Sequence, residues 1–138
     1  MTEGFIIGTD HVGVAVPDIE EALSYYRPIG FQVKQHPVID KDRDVKICFI
    51  QNDTLVLELV SPAYKGKKSP VDTYLDSKQG YTIYHICYLA SDMQAQIELM
   101  TDNGYIELHK AAPSIAMEGR KVAYLYNRVM GLVEIAEP

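Results

Sequence analysis

The sequence is short of several things, and each shortage narrows what the protein can be. Cysteine occurs only twice, as Cys48 and Cys87. Both lie inside apolar runs, so buried free thiols in a reducing compartment are expected rather than a disulfide framework. Basic residues are scarce: 13 Lys and Arg against 19 Asp and Glu leave a net charge of −6. That balance argues against nucleic acid or an anionic membrane as a partner. No apolar run reaches the length of a membrane span. The opening residues, "MTEGFIIGTD", lack the basic start and long apolar stretch of a secretory signal. The expectation is a soluble, cytoplasmic protein.

What is present suffices for one compact domain. The chain has 138 residues, 47% of them hydrophobic. A chain of this size can bury a core without disulfides or other staples.

The chain also repeats itself. "HVGVAVPDIEEALSYYRPIGF", from His11, falls without a gap on "HICYLASDMQAQIELMTDNGY", from His85. His11 meets His85, Asp18 meets Asp92, Gly30 meets Gly104 and Phe31 meets Tyr105. "KICFIQNDTLVLELVSP" then falls on "KVAYLYNRVMGLVEIAEP" with one residue inserted in the turn, which pairs Glu58 with Glu134. The period is too long for a solenoid, so two fused copies of one module are expected. Module one covers about 8–62 and module two about 81–138, with a linker and short helix over 63–80 between them.

Each module reads as strand, helix and three strands. In the first, a strand over about Asp10–Val16 leads to Asp18, which is placed to cap a helix with Glu21 three residues on. Apolar Ile19, Ala22, Leu23 and Tyr26 recur at helical spacing. Pro28 and Gly30 stop the helix. Strands follow near Phe31–Gln35, Val45–Ile50 and Thr54–Val60, the last two joined by a hairpin at "QND". Module two repeats this with strand Thr82–Ala90, helix Asp92–Asn103 and strands Tyr105–Lys110, Lys121–Tyr126 and Leu132–Ala136. In the linker, Ser69, Pro70 and Asp72 read as the cap and first turn of a short helix ending before Gly80.

Two side chains in each module break the apolar pattern. Strand side chains alternate between faces, so His11 shares a face with Gly13 and Ala15 while Val12, Val14 and Val16 point the other way. The valine face suits a helix; the other carries a polar head and little bulk. Glu58 interrupts "LVLELV", and Glu134 interrupts "GLVEIAE". An ionised carboxylate inside an apolar strand is costly unless it is paired or bound to a cation. Fused copies commonly pack about an approximate two-fold axis, which would gather His11, Glu58, His85 and Glu134. Imidazoles and carboxylates suit a divalent Zn, Ni, Co, Fe or Mn ion. His36 and His109 follow the repeat one position out of register, at strand ends, and read as solvated. Cys87, two residues after His85, reads as a small pocket-lining side chain.

The stretch "DHVGVAVPDIEEALSYY…GF", the fused βαβββ copies and the His/Glu/His/Glu positions resemble the vicinal oxygen chelate superfamily. Glyoxalase I, methylmalonyl-CoA epimerase, extradiol dioxygenases and bleomycin-resistance proteins belong to it. The resemblance implies an α+β fold: two βαβββ modules forming a curved, open, eight-stranded sheet around a metal held by His11, Glu58, His85 and Glu134. It also implies a small-molecule substrate, an acyl-CoA or a glutathione adduct, and a homodimer.

Several stretches resemble the epimerase branch: "NDTLVLELVSP" followed by "SPVDTYL", "YHICYLASDM" and "EGRKVAYLY". The chain departs from epimerases at Tyr126-Asn127, where they usually carry His-Pro, and at Met130-Gly131, where they usually carry two glycines. Their second catalytic carboxylate falls near Asp42 here. "NRVMG" lacks the Asp-Pro-Asp-Gly-like turn common in glyoxalase I. The activity implied is proton removal and return beside a carbonyl, with Glu134, Glu58 and Asp42 as the catalytic carboxylates.

Three other readings compete. A glyoxalase I-like lyase uses the same ligand set. A drug-binding resistance protein uses the same fold without chemistry, but many such binders lack the four ligand positions. A dioxygenase would use His, His and Glu around an open iron site, which leaves Glu58 without a role. The basic loop Lys65, Lys67 and Lys68 reads either as a contact for coenzyme A phosphates or as a solvated linker.

Overall fold

The fold is described from a computed structural model, over residues 4–76 and 83–138. Eight strands run in chain order: β1 (Ile6–Ala15), β2 (Gln32–Asp40), β3 (Val45–Gln51), β4 (Val56–Pro62), β5 (Ile83–Ala90), β6 (Ile106–Pro113), β7 (Lys121–Asn127) and β8 (Gly131–Ala136). The helices are α1 (Ile19–Tyr26), α2 (Asp72–Leu75) and α3 (Met93–Asp102). The strands form one open, mixed sheet in the order β2-β3-β4-β1-β5-β8-β7-β6. This is an α+β fold, as the resemblance implies. β1 runs parallel to β4 and β5 parallel to β8, while β2/β3, β3/β4, β6/β7 and β7/β8 are antiparallel.

Two compact units divide the chain: His11–Tyr84, and His85–Pro138 together with the residues up to Asp10. The second unit takes the front of β1 because Phe5 bonds there. Its N–H donates to Gln96 Oε1 at 2.7 Å, and its carbonyl accepts from the Ser91 N–H at 2.8 Å.

The first unit follows its sequence pattern closely. Asp18 caps α1, its carboxylate accepting from the Glu21 N–H at 2.9 Å. A short 3-10 turn, Arg27–Ile29, carries the chain from α1 to Gly30 at φ 98°, a left-handed conformation that suits glycine. Val14, Val16, Ile19, Leu23, Phe31, Cys48, Ile50, Leu57 and Leu59 form the core, with Val12 packed against it. The valine face of β1 is thus the helix face.

The second unit repeats the plan. The Asp92 carboxylate caps α3, accepting from the Ala95 N–H at 3.1 Å. Its core is Ala90, Ile97, Met100, Ala123, Leu125, Val133 and Ile135.

Three local readings change. β2 runs on to Asp40, past Gln35, where the sequence suggests an end. It tolerates Pro37 because it is an edge strand and its pairing with β3 slips between Gln35 and Val38. β6 likewise runs to Pro113, with irregular register around His109. His36 and His109 therefore sit within strands rather than at their ends, though both are exposed as expected. In the linker, α2 is a single turn that begins at Asp72, whose carboxylate accepts from the Ser69 N–H at 2.9 Å. The expected run of this helix toward Gly80, and the start of the next strand at Thr82, lie outside the described residues.

Candidate metal centre

Each unit buries one histidine beside one glutamate. In the first, His11 on β1 and Glu58 on β4 are 1% and 3% exposed, with His11 Nε2 3.6 Å from Glu58 Oε1. In the second, His85 on β5 and Glu134 on β8 are both 2% exposed, with His85 Nε2 3.2 Å from Glu134 Oε1.

The sheet register explains both pairs. The parallel ladder sets Glu58 opposite Gly13, two residues on from His11. It sets Glu134 opposite Cys87, two residues on from His85. Residues two apart on a strand share a face, so each glutamate lies on its histidine's face. The same geometry has been built twice from the same spacing.

An aromatic ring steadies each imidazole. Phe49, across the antiparallel ladder from Glu58, meets the His11 ring edge-on, with centroids 5.1 Å apart at 80°. Tyr124, across from Glu134, meets His85 in the same way, at 5.6 Å and 89°. The repeat pairs Phe49 with Tyr124 and Gly13 with Cys87. These wall residues escape a search for chemistry-bearing types, and only the repeat register marks them.

Among the described residues, the group that could hold a metal ion is His11, Glu58, His85 and Glu134. The donor chemistry fits. A neutral imidazole and a carboxylate are ligands for divalent transition metals, and a carboxylate this buried is costly without a cation or strong hydrogen bonds.

The remaining sequence candidates lie elsewhere. Asp42 is exposed in the turn between β2 and β3. Two residues earlier, Asp40 is buried, and its carboxylate accepts from the Arg43 N–H and guanidinium, both at 3.1 Å. Lys65, Lys67 and Lys68 are exposed, with the Lys67 ammonium 5.8 Å from the centre of the Tyr64 ring. Both cysteines are buried and neither is in a disulfide, and burial pushes the Cys48 thiol above its ordinary range, helped by the charge of Glu20. A cavity of about 560 Å³ in the second unit is lined by Tyr88, Met100, Val133 and Ile135 among others. Tyr88, Val133 and Ile135 alternate with Cys87 and Glu134 along their strands, and Met100 is on α3, so this cavity lies on the helix face, away from the buried pair. No helix among the described residues is long and apolar enough to cross a membrane.

Several known proteins are similar to this chain over most of its length. YqjC of Bacillus subtilis, of uncharacterised function, is 30% identical over 94% of this chain and 91% of its own length. The ethylmalonyl-CoA/methylmalonyl-CoA epimerase of Cereibacter sphaeroides is 32% identical, over 85% of this chain and 86% of its own. The crystal structure of methylmalonyl-CoA epimerase from Mycobacterium tuberculosis superposes with a TM-score of 0.81 at 22% identity, covering all of this chain and 92% of that one. The Streptomyces coelicolor epimerase, solved with 2-nitronate-propionyl-CoA, gives 0.78 at 25% identity, covering 96% and 97%. The family model for the glyoxalase/bleomycin resistance protein/dioxygenase superfamily matches residues 10–124, from just before the first buried histidine to the tyrosine beside the second. With its repeated modules, its sheet order and its two buried His/Glu pairs, the chain belongs to that superfamily, the vicinal oxygen chelate proteins.

Proposed function

We propose that His11, Glu58, His85 and Glu134 together hold one divalent metal ion, and that the protein is an epimerase acting beside the carbonyl of a small acyl thioester. One observation carries the reading: each unit buries the same His/Glu pair at the same register of the same two strands. A similar protein at 32% identity is an ethylmalonyl-CoA/methylmalonyl-CoA epimerase, which supports a thioester substrate.

When bound, the ion supplies stabilisation for the negative charge that develops on a substrate oxygen as a neighbouring C–H bond breaks. The chain's own carboxylates move the proton. Glu134 takes it from the carbon, and the electron pair passes toward the carbonyl oxygen. A second carboxyl group, protonated at that point, gives its proton to the other face of the same carbon, which inverts it, while Glu134 keeps the proton it took. Glu58, the repeat partner of Glu134, is the buried choice for this role. Asp42 is the alternative, on resemblance alone, because it stands exposed in its turn. The apolar cores behind both pairs keep bulk water from the helix side.

The matched pair of glutamates favours a second reading, a glyoxalase I-like lyase, in which the proton moves to the adjacent carbon. Proton NMR of the metal-loaded protein in D2O separates the two. A 2-methyl-branched malonyl thioester should take up deuterium at C2 with no new compound formed. Conversion of a glutathione hemithioacetal to a hydroxyacyl product would replace the epimerase reading with the lyase. Binding of a bleomycin-type drug with neither reaction would replace both. A homodimer, implied by the resemblance, belongs to the same proposal and is checked by sedimentation equilibrium.

A further inference from the structure

The cavity of about 560 Å³ in the second unit opens on the helix face of the sheet, away from His85 and Glu134. Gln96, Leu99 and Met100 line it from α3, Tyr88 from β5, Val133 from β8 and Ile6 from the front of β1, all within that unit. Its volume is that of a small-molecule site. None of the described residues lining it is charged. One of them carries an unmet polar group. Gln96 is 7% exposed, and its Oε1 accepts from the Phe5 N–H at 2.7 Å. That bond fixes which end of the amide is oxygen. A Cβ at Gly4 would stand 2.8 Å from the same oxygen, so the chain before β1 passes close over it. The amide nitrogen, a donor at the other end, has no acceptor among the described residues. A donor left without a partner on so buried a side chain is costly. The repeat sharpens the point, since it sets Gln96 against Ala22 and Tyr88 against Val14. In the first unit, Val14 belongs to the core and Ala22 packs against it. The helix face of this fold therefore closes with small apolar side chains, and the second unit departs from that plan.

We propose that this cavity is a second binding site, for a neutral, mainly apolar small molecule whose carbonyl oxygen accepts from the Gln96 amide. The lining sets the chemistry. Ile6, Leu99 and Val133 offer apolar contact, and the Met100 thioether adapts to the shape of an occupant. An ion would give up its hydration there and meet no countercharge. A carbonyl oxygen satisfies the one donor that the protein leaves open, and it brings no donor of its own that needs an acceptor. The site is independent of the proposed metal centre, and neither reading depends on the other.

The test uses three ligands of nearly one shape: acetophenone, its hydrocarbon isostere α-methylstyrene, and the anion benzoate. Each is titrated into the full chain and followed by heteronuclear NMR of the backbone amides. Acetophenone should move the signals of Tyr88, Gln96, Leu99, Met100 and Val133, with a Kd on the order of 1–10 mM, as suits so small a ligand. It should bind roughly 3- to 10-fold more tightly than α-methylstyrene, the worth of one neutral hydrogen bond, and benzoate should not bind there. Gln96→Met keeps the length of the side chain and removes the donor, so the advantage of the ketone should vanish. Leu99→Trp fills the cavity from a half-buried position on α3, and both neutral ligands should then lose their site. The comparison of ligands on the wild type stands even where a variant does not fold. Equal affinity for ketone and hydrocarbon overturns the proposal, because the amide then selects nothing. Binding of benzoate at the same residues overturns the neutral assignment. Absence of shifts at saturating acetophenone also overturns it and leaves the cavity to water. Signals of the same residues that move on dilution of the protein alone assign the face to a second copy of the chain, and they overturn it too.

Discussion

His85 Nε2 lies 3.2 Å from Glu134 Oε1, with both side chains almost completely buried. A carboxylate and an imidazole held this closely, in a strand pair that is otherwise apolar, carry a standing cost that a bound cation would offset. The equivalent atoms of His11 and Glu58 lie 3.6 Å apart, so the cost is incurred twice. Folding energy spent twice in the same way is a sign of function, and it can be tested ligand by ligand.

Removing one imidazole should uncouple metal from stability. His85→Ala is expected to lower bound metal from about one ion per chain to a small fraction of that. In wild-type protein, metal at about 100 times its Kd should add about 2.7 kcal/mol to stability. In the variant, added metal should barely move the thermal midpoint. Elemental analysis and calorimetry with and without a chelator check this, and a wild type that takes up no ion under any condition would falsify the metal centre.

Glu134→Gln keeps an oxygen for the proposed metal and removes the proposed base. Metal should remain bound, more weakly, while deuterium exchange at the substrate carbon falls by roughly 10²–10⁴. That range corresponds to about 3–5 kcal/mol of barrier. Glu58→Gln apportions the second role. A comparable loss makes Glu58 the partner base; a mild one passes the test to Asp42→Asn. Wild-type exchange in metal-loaded Glu134→Gln would refute its role.

Asp40 should prove a stabilising residue with no part in the chemistry. Its carboxylate is 2% exposed and takes both the N–H and the guanidinium of Arg43. Asp40→Ala removes an acceptor from both donors and should cost about 1–3 kcal/mol in urea unfolding. The rate per folded, metal-loaded molecule should hold, and a selective loss of rate would show that the β2–β3 turn takes part in the reaction.

Stability should also decline on the alkaline side. Burial raises the Cys48 thiol above its ordinary range, so the unfolded chain loses that proton first. Unfolding then releases a proton, and stability falls as pH rises through the ordinary thiol range near about 8.5. Burial of Tyr26 acts in the same direction at higher pH. Chemical denaturation between about pH 7 and 10 should show this slope in the wild type and a smaller one in Cys48→Ala. Equal slopes would mean that Cys48 does not contribute.

The repeat, and with it much of the fold, is legible in the chain itself. Asp18 and Asp92 cap their helices as their spacing predicts, because a cap is a local hydrogen bond between residues three apart. The alternation Val12, Val14, Val16 chooses the helix face of β1, because strand geometry alone separates odd from even positions. The four ligand candidates stand out for a similar reason: polar residues that break an apolar pattern twice, in register, mark a site without any knowledge of contacts. Other features needed the third dimension. The length of β2 depends on an edge position that lets Pro37 go without a ladder hydrogen bond, and an edge is a property of sheet order. The front of β1 belongs with the second unit because the Phe5 backbone bonds to Gln96 and Ser91, some ninety residues away. Asp40 and Asp42 look equally exposed in "IDKDRD", yet one is buried and one is not, because the turn folds Arg43 back on the first. The neighbours of the ligand candidates, Phe49 against Tyr124 and Gly13 against Cys87, follow from ladder register, which comes from pairing between distant strands and has no signature within any one of them.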